Sequence, residues 1–308
     1  MALTLLQLVD QVTGETGVQQ PSSVISNTAL YVVQMLNLAN GLGQNLSREY
    51  DWQGFDKEYR FTTVYYQYTA TTVAGSTTIS AMSSTTGLTT NPTYFQVVGT
   101  GINQDTYLVS VNSGASTAVL TQAAAASGTA VTLTFAQTIY AMPSDYDRLI
   151  DKTDWSKSQH WEMLGPETAQ EWQWLKSGYI SSGPRIRYRV LGGFFQIWPP
   201  QSANLYLGFE YMSNQWVATA AGSALSKSSF TVDTDVCAFP DSLMVTGLKY
   251  RWLASKNDPR AQLANAEYQA QLSIAKANDG GSRTLSMAPR FTSVLIGFGN
   301  IPDSGYGT

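Results

Sequence analysis

The sequence predicts an α+β protein in three parts: a helical-bundle core with a small antiparallel β-meander, an inserted all-β domain of sandwich or barrel type, and an extended C-terminal arm. Three observations lead there. Apolar residues recur with a helical period near both ends of the chain, over residues 3–50 and 241–280. Between Phe61 and Met142 the only charged residue is Asp105, and Thr, Ser, Gly, Ala and Val dominate. Residues 281–308 have no helical period. The expected division is a core at 1–63 and 138–280, an insert at 64–137 and an arm at 281–308.

The first helix is expected over residues 3–13, where Leu5, Leu8, Val9 and Val12 fall on one face and Gly14 and Gly17 close it. A second helix, capped by Ser26 or Asn27, runs to about Tyr50 with a stripe of Leu30, Val33, Leu36 or Leu38, and Leu42. Gly41 and Gly43 interrupt it; each costs about 1 kcal/mol against Ala, which points to close packing there. Lys57 to Thr63 alternates as a strand. The insert then offers five or six short alternating runs, among them "YFQVVG", "TYLVSV" and "AVTLTFA", separated by Gly and Asn turns. Its neutral Thr/Ser surface is either a contact surface or merely an uncharged polar one.

Beyond the insert, Pro143, Ser144 and Asp145 suggest a short helix carrying Asp147, Arg148 and Asp151, which would form local ion pairs. In "PETAQEWQWLKSG" Pro166 and Glu167 open a helix that Gly178 closes. Trp172 and Trp174 lie two apart in it, so they occupy different faces, and the second indole needs a contact of its own. "RIRYRVLGGFFQIWP" reads as a hairpin turning at Gly192-Gly193, with Ile186, Tyr188 and Val190 on one face and Arg185, Arg187 and Arg189 on the other. "NLYLGFEYM" is expected as its third strand. Two more helices follow, one from Asp241 carrying Leu243, Met244, Leu248 and Trp252, and one started by Asp258-Pro259 and ended by Gly280. The stripe of the last, Leu263, Ala264, Tyr268, Leu272 and Ala275, is narrow and suits close helix packing. In the arm, Phe291, Val294, Leu295, Ile296 and Phe298 are apolar beads that call for a docking surface, on the same subunit or on a partner.

Composition narrows the function. Of 308 residues, 13% are charged, about half the usual share, while 43% are hydrophobic and 12% aromatic. That suits a chain covered by partners and argues against disorder. A net charge of −4 does not give the basic footprint of a nucleic-acid binder. One cysteine, Cys237, and one histidine, His160, make no disulfide framework and no His/Cys zinc set. Asp233 and Asp235 are a weak cation pair, and His160 reads as a surface residue in a polar run. No phosphate loop, H-E-x-x-H or G-x-S-x-G stands in the chain. No cofactor is expected. "MALTLLQLVDQV" has no basic start and a broken apolar run, so neither a signal peptide nor a membrane anchor is expected.

The segments "MPSDYDRLIDKTDWSKSQHWEMLGPETAQEWQWLKSG", "GPRIRYRVLGGFFQIWPP", "LGFEYMSNQWV" and "FTVDTDVCAFPDSLMVTGLKYRWLASKN", with "LTLLQLVDQV" and "LNLANGLGQNLSREYDWQGFDKEYRFTT" before them, resemble the head-to-tail adaptor, or connector, proteins of short-tailed bacteriophages. The likeness spans residues 3–62 and 139–287, and the Thr-rich insert is the departure from it. It implies a virion structural protein rather than an enzyme. It further implies a homo-oligomeric ring of about twelve subunits matching a portal, with tail nozzle or fibre proteins downstream, a channel that passes DNA without reading its sequence, and a terminal arm that reaches the portal. In such a ring Trp172 or Trp174, and Arg185, Arg187 and Arg189, are the expected subunit contacts, and Phe291, Leu295 and Phe298 the docking residues of the arm. A tail-fibre or glycan-binding module using the Thr-rich face is the alternative. A cell-wall hydrolase, which needs a carboxylate pair in a cleft, is a third reading.

Overall fold

The computed structural model describes residues 2–177 and 185–280. Helix α1 (Leu5–Thr16) begins at a reciprocal cap between Thr4 and Gln7 and ends at Gly17. Helix α2 (Leu30–Glu49) follows, then β1 (Asp56–Thr62). The Thr/Ser-rich stretch folds into β2 (Tyr65–Thr72), β3 (Thr78–Ile79), β4 (Phe95–Gly99), β5 (Leu108–Asn112), β6 (Thr117–Leu120) and β7 (Gly128–Gln137). Next come β8 (Ile139–Ala141), β9 (Tyr146–Leu149), β10 (Trp155–Ser156), β11 (Trp161–Glu162) and helix α3 (Ala169–Lys176). The hairpin strands are β12 (Arg187–Leu191) and β13 (Phe194–Trp198), followed by β14 (Tyr206–Ser213). The chain continues through β15 (Val217–Ala218), β16 (Leu225–Lys227) and β17 (Val236–Cys237) to α4 (Asp241–Ser255) and α5 (Ala261–Asp279).

These strands make five small antiparallel sheets, in the orders β1-β14-β10-β11 with β9 also on β14, β12-β13-β8, β16-β15-β17, β2-β7-β4 and β3-β6-β5. The expected helical-bundle core is therefore corrected: the described chain is mainly small β-sheets, and the α+β class holds only in the broad sense. The reason lies in the helices' narrow stripes. Helix α5 buries only Ala264, Tyr268, Leu272 and Ala275, too little to fill a bundle interior. The space beneath α1, α2, α4 and α5 is filled instead by Trp52, Phe55, Trp216, Phe230 and Phe239 from loops and a short 3-10 turn.

Three further expectations change. Helix α2 buries Val32, Met35, Ala39, Leu42 and Leu46, so Leu30, 82% exposed, and Val33 face outward. The expected stripe was displaced because two apolar sets of similar period compete in this helix, and tertiary contacts select one. Residues 146–149 form β9 on the edge of β14, not a helix, because pairing with Tyr211–Ser213 outweighs the local helix-start signal. β14 does not join the hairpin sheet. β8 is the third strand there, and β14 pairs with β1 from Asp56↔Met212 to Thr62↔Tyr206. The Gly192-Gly193 turn is as expected, with both φ positive and Leu191 opposite Phe194.

The β1-β14 sheet and the hairpin sheet face each other across an aromatic interior. Tyr188, Phe195 and Phe209 stack in sequence, with ring centroids 4.9 and 4.8 Å apart. All three rings are buried, and a buried phenylalanine contributes about 2–3 kcal/mol from area alone. The six strands β2–β7 enclose a separate cluster that includes Ile79, Leu88, Phe95, Leu108, Leu133 and Phe135.

Candidate functional site

Helix α3 starts one turn later than Pro166 suggested. Thr168 caps it, its hydroxyl accepting the Glu171 N–H at 3.3 Å while the Glu171 carboxylate accepts the Thr168 N–H at 3.2 Å. Gly178, its expected stop, lies outside the described residues. Trp172 and Trp174 do point to different faces. Trp172 is 1% exposed and packs with Leu175 and Trp198. Trp174 is 48% exposed.

What holds α3 in place was not foreseen. The Lys176 ammonium lies 3.3 Å from the Asp105 carboxylate, donates to the Tyr107 hydroxyl at 3.0 Å and sits over the Tyr107 ring. The sole charge between Phe61 and Met142 is thus the one that fastens this helix to the Thr/Ser-rich strands. Burial alone would lower the Lys176 pKa, but Tyr107 and Asp105 raise it, so the ammonium stays charged. The one signal in the sequence was that Asp105 stands alone in a neutral stretch; its partner could not be read from it. A second junction joins Tyr94 to Phe194, whose rings meet edge-on at 5.4 Å.

The three arginines separate. Arg185 is exposed and precedes the strand. Arg187 donates to Glu167 Oε1 at 2.7 Å, and the Glu167 side chain is nearly buried. Arg189 is half-buried on β12. Phe291, Leu295 and Phe298 lie outside the described residues.

Two buried aspartates anchor the facing sheets. Asp145 accepts from Lys57 at 2.6 Å and from Tyr211 and Ser213 at 2.8 Å each. Burial pushes its carboxyl up, yet these donors outweigh burial and hold it below the ordinary range. Asp154, fully buried, accepts from the Tyr188 hydroxyl at 2.6 Å on one oxygen only. Burial pushes it up to about 7, against the hydrogen bond from Tyr188, with Asp151 and Glu162 adding to the rise. The weak cation pair has a structural use: Asp233 accepts the Val24 and Ile25 N–H groups, and Asp235 those of Thr231 and Val232. His160 is exposed in the turn between β10 and β11.

The arrangement is one of packed sheets, docked helices and a few exposed aromatic side chains. The comparison with family models is specific: the SU10 adaptor protein model matches residues 108–290, more than half of the chain. The chain belongs to that family, a family of phage head-to-tail adaptors, and is a phage structural adaptor protein. The match starts at Leu108, so β5, β6 and β7 lie within it, while β1 and the two N-terminal helices do not. No curated protein matches the chain. Adaptor membership implies a place in the virion, in contact with portal and tail proteins. No helix among the described residues is long and apolar enough to cross a membrane.

Proposed function

We propose that the chain is one subunit of a head-to-tail adaptor ring, probed best as twelve copies below a portal, that joins the portal to the tail and continues the DNA channel for genome retention and ejection. The family match over residues 108–290 is the observation that supports this reading. Surface chemistry is consistent with it. A ring subunit needs two lateral faces, and this chain exposes Trp174, Leu30, Leu263 and Ile274 on helices. Arg185 and Arg189 are offered as charge contacts to a neighbouring subunit, and Phe291, Leu295 and Phe298 as docking residues toward the portal. A net charge of −4 suits a conduit, because phosphates bind basic linings through counterion release and slide past acidic ones.

The test is mass by light scattering, alone and mixed with the portal ring of the same phage. Association at a fixed ratio is the expected result, and Trp174→Ala, which removes a subunit–subunit aromatic, should weaken completion of the ring on the portal about tenfold or more. A chain that never associates with the portal removes the reading.

A further inference from the structure

At the end of α5 lies a groove of about 280 Å3, with Trp52, Phe55 and Phe239 as its floor and Pro240, Ala275 and Asp279 on its walls. The helix is pinned at this rim. Asp279 accepts the Gln53 N–H at 3.0 Å, and Lys276 donates to Glu49 at 2.9 Å. The chain therefore leaves α5 beside an apolar trough.

Charged groups of both signs surround the same exit: Glu49, Asp51 and Asp279, with Arg48, Arg148 and Lys276 among them, Arg148 lying 2.6 Å from Asp51. The Asp56 carboxyl is held above its ordinary range by burial first, then by Glu210, Asp279 and Asp51, with Arg148 partly offsetting them. The next residues, "GSRTLSMAPR" at 281–290, contain Arg283 and Arg290 and no acid, with Leu285 and Met287 between them. Apolar residues spaced inside a basic segment complement an aromatic floor with Asp279 at its rim, and methionine packs well on aromatic rings. Reach is sufficient: Leu285 is five residues past Gly280, and five extended residues span at most roughly 18 Å.

We propose that residues 281–290 of the same chain occupy this groove, with Leu285 and Met287 on Trp52, Phe55 and Phe239 and Arg283 facing the acids. The tether decides between this chain and a second copy. A short linker holds its segment at an effective concentration in the millimolar range, on the order of a thousandfold above a micromolar solution of free copies. The consequence is a division of labour in the arm. Its first ten residues are an anchor on their own subunit, and the run from Phe291 onward starts from a fixed point.

Disulfide trapping in the full chain tests this. A Cβ added at Gly54 meets no atom within 4 Å, so the position has room for a side chain, and Gly54→Cys is paired with Leu285→Cys. The control pair is Arg48→Cys with Leu285→Cys, because Arg48 lines the polar depression on the other side of Gly280. Cys237 stays in place: burial pushes its thiol up to about 12, which leaves almost no thiolate at pH 8. The expected result is a monomeric disulfide at Gly54 forming about tenfold faster than at Arg48, the advantage of a held over a floating segment. Adding Arg283→Glu should cut that advantage severalfold. Equal rates at the two positions overturn the proposal, and so do disulfide-linked dimers whose yield falls when oxidation is run at lower protein concentration, which would give the groove to a second copy. The isolated protein suffices, so failure here leaves the ring reading standing, and failure to bind a portal leaves this one standing.

Discussion

Asp145 and Asp154 sit in the same pair of sheets and respond to pH in opposite senses. The Asp145 carboxyl is held down by Lys57, Ser213 and Tyr211, so the stability it contributes is present above the ordinary aspartate range and is lost as pH falls through its lowered value. Asp154 is raised from 3.8 to about 7, so between those values the folded state holds more protons than the unfolded one. Stability must then fall as pH rises from about 4 to 7 and level off above, by on the order of 4 kcal/mol if the shift is fully expressed. Urea unfolding of Asp154→Asn at several pH values should give a flatter curve over that window. An unchanged slope would mean that Asp154 is already ionised in the folded protein. Sequence offered no hint of either role, because burial of a carboxylate is set by which strands pair over it.

Helix α2 shows what a single element demands of its sequence. A Cβ built on Gly43 would stand 2.2–2.4 Å from the Trp216 ring, so the glycine is there to admit an indole rather than a second helix backbone. Gly43→Ala should destabilise the protein by about 1–3 kcal/mol, the usual cost of overpacking, read as a lower urea midpoint with unchanged slope. For α3 the deciding contact is Lys176. Lys176→Met keeps the stem and removes the charge, which strands a partly buried Asp105. We expect a loss of about 1–2 kcal/mol and faster hydrogen exchange over residues 169–176, whereas exchange confined to its global rate would exclude a local clamp. At this scale the sequence was legible where one local rule sufficed. The α1 stripe, the Gly192-Gly193 turn and the opposed faces of Trp172 and Trp174 follow from period and turn chemistry alone. It was opaque where two patterns competed, as for the outward Leu30 and Val33, or where a distant strand captured a segment, as β14 captures β9.

For the whole molecule, the same limit explains the missing bundle. Helical periods at both ends of a chain say that helices exist, not that they enclose one another. Loop aromatics such as Trp216, Phe230 and Phe239 carry no period, so their claim on the interior could not be counted beforehand. The family likeness was readable from residues 139–287, and the match extending back to 108 brings half of the Thr/Ser-rich strands into the family's span. Of the candidate contacts, Trp172 is part of the interior, Arg187 pairs with Glu167, Arg189 is half-buried, and Trp174 and Arg185 are exposed.

The pairing of β1 with β14 also fixes an order of events during synthesis. Residues 56–62 leave the ribosome long before residues 206–213, and at roughly 5–20 residues per second the wait lasts on the order of ten seconds. Helices α1 and α2 wait longer still, since α4 must cover them. The strands β2–β7, whose pairings are all with one another, have everything they need in between. The least charged stretch of the chain can thus complete its pairings before the two ends arrive.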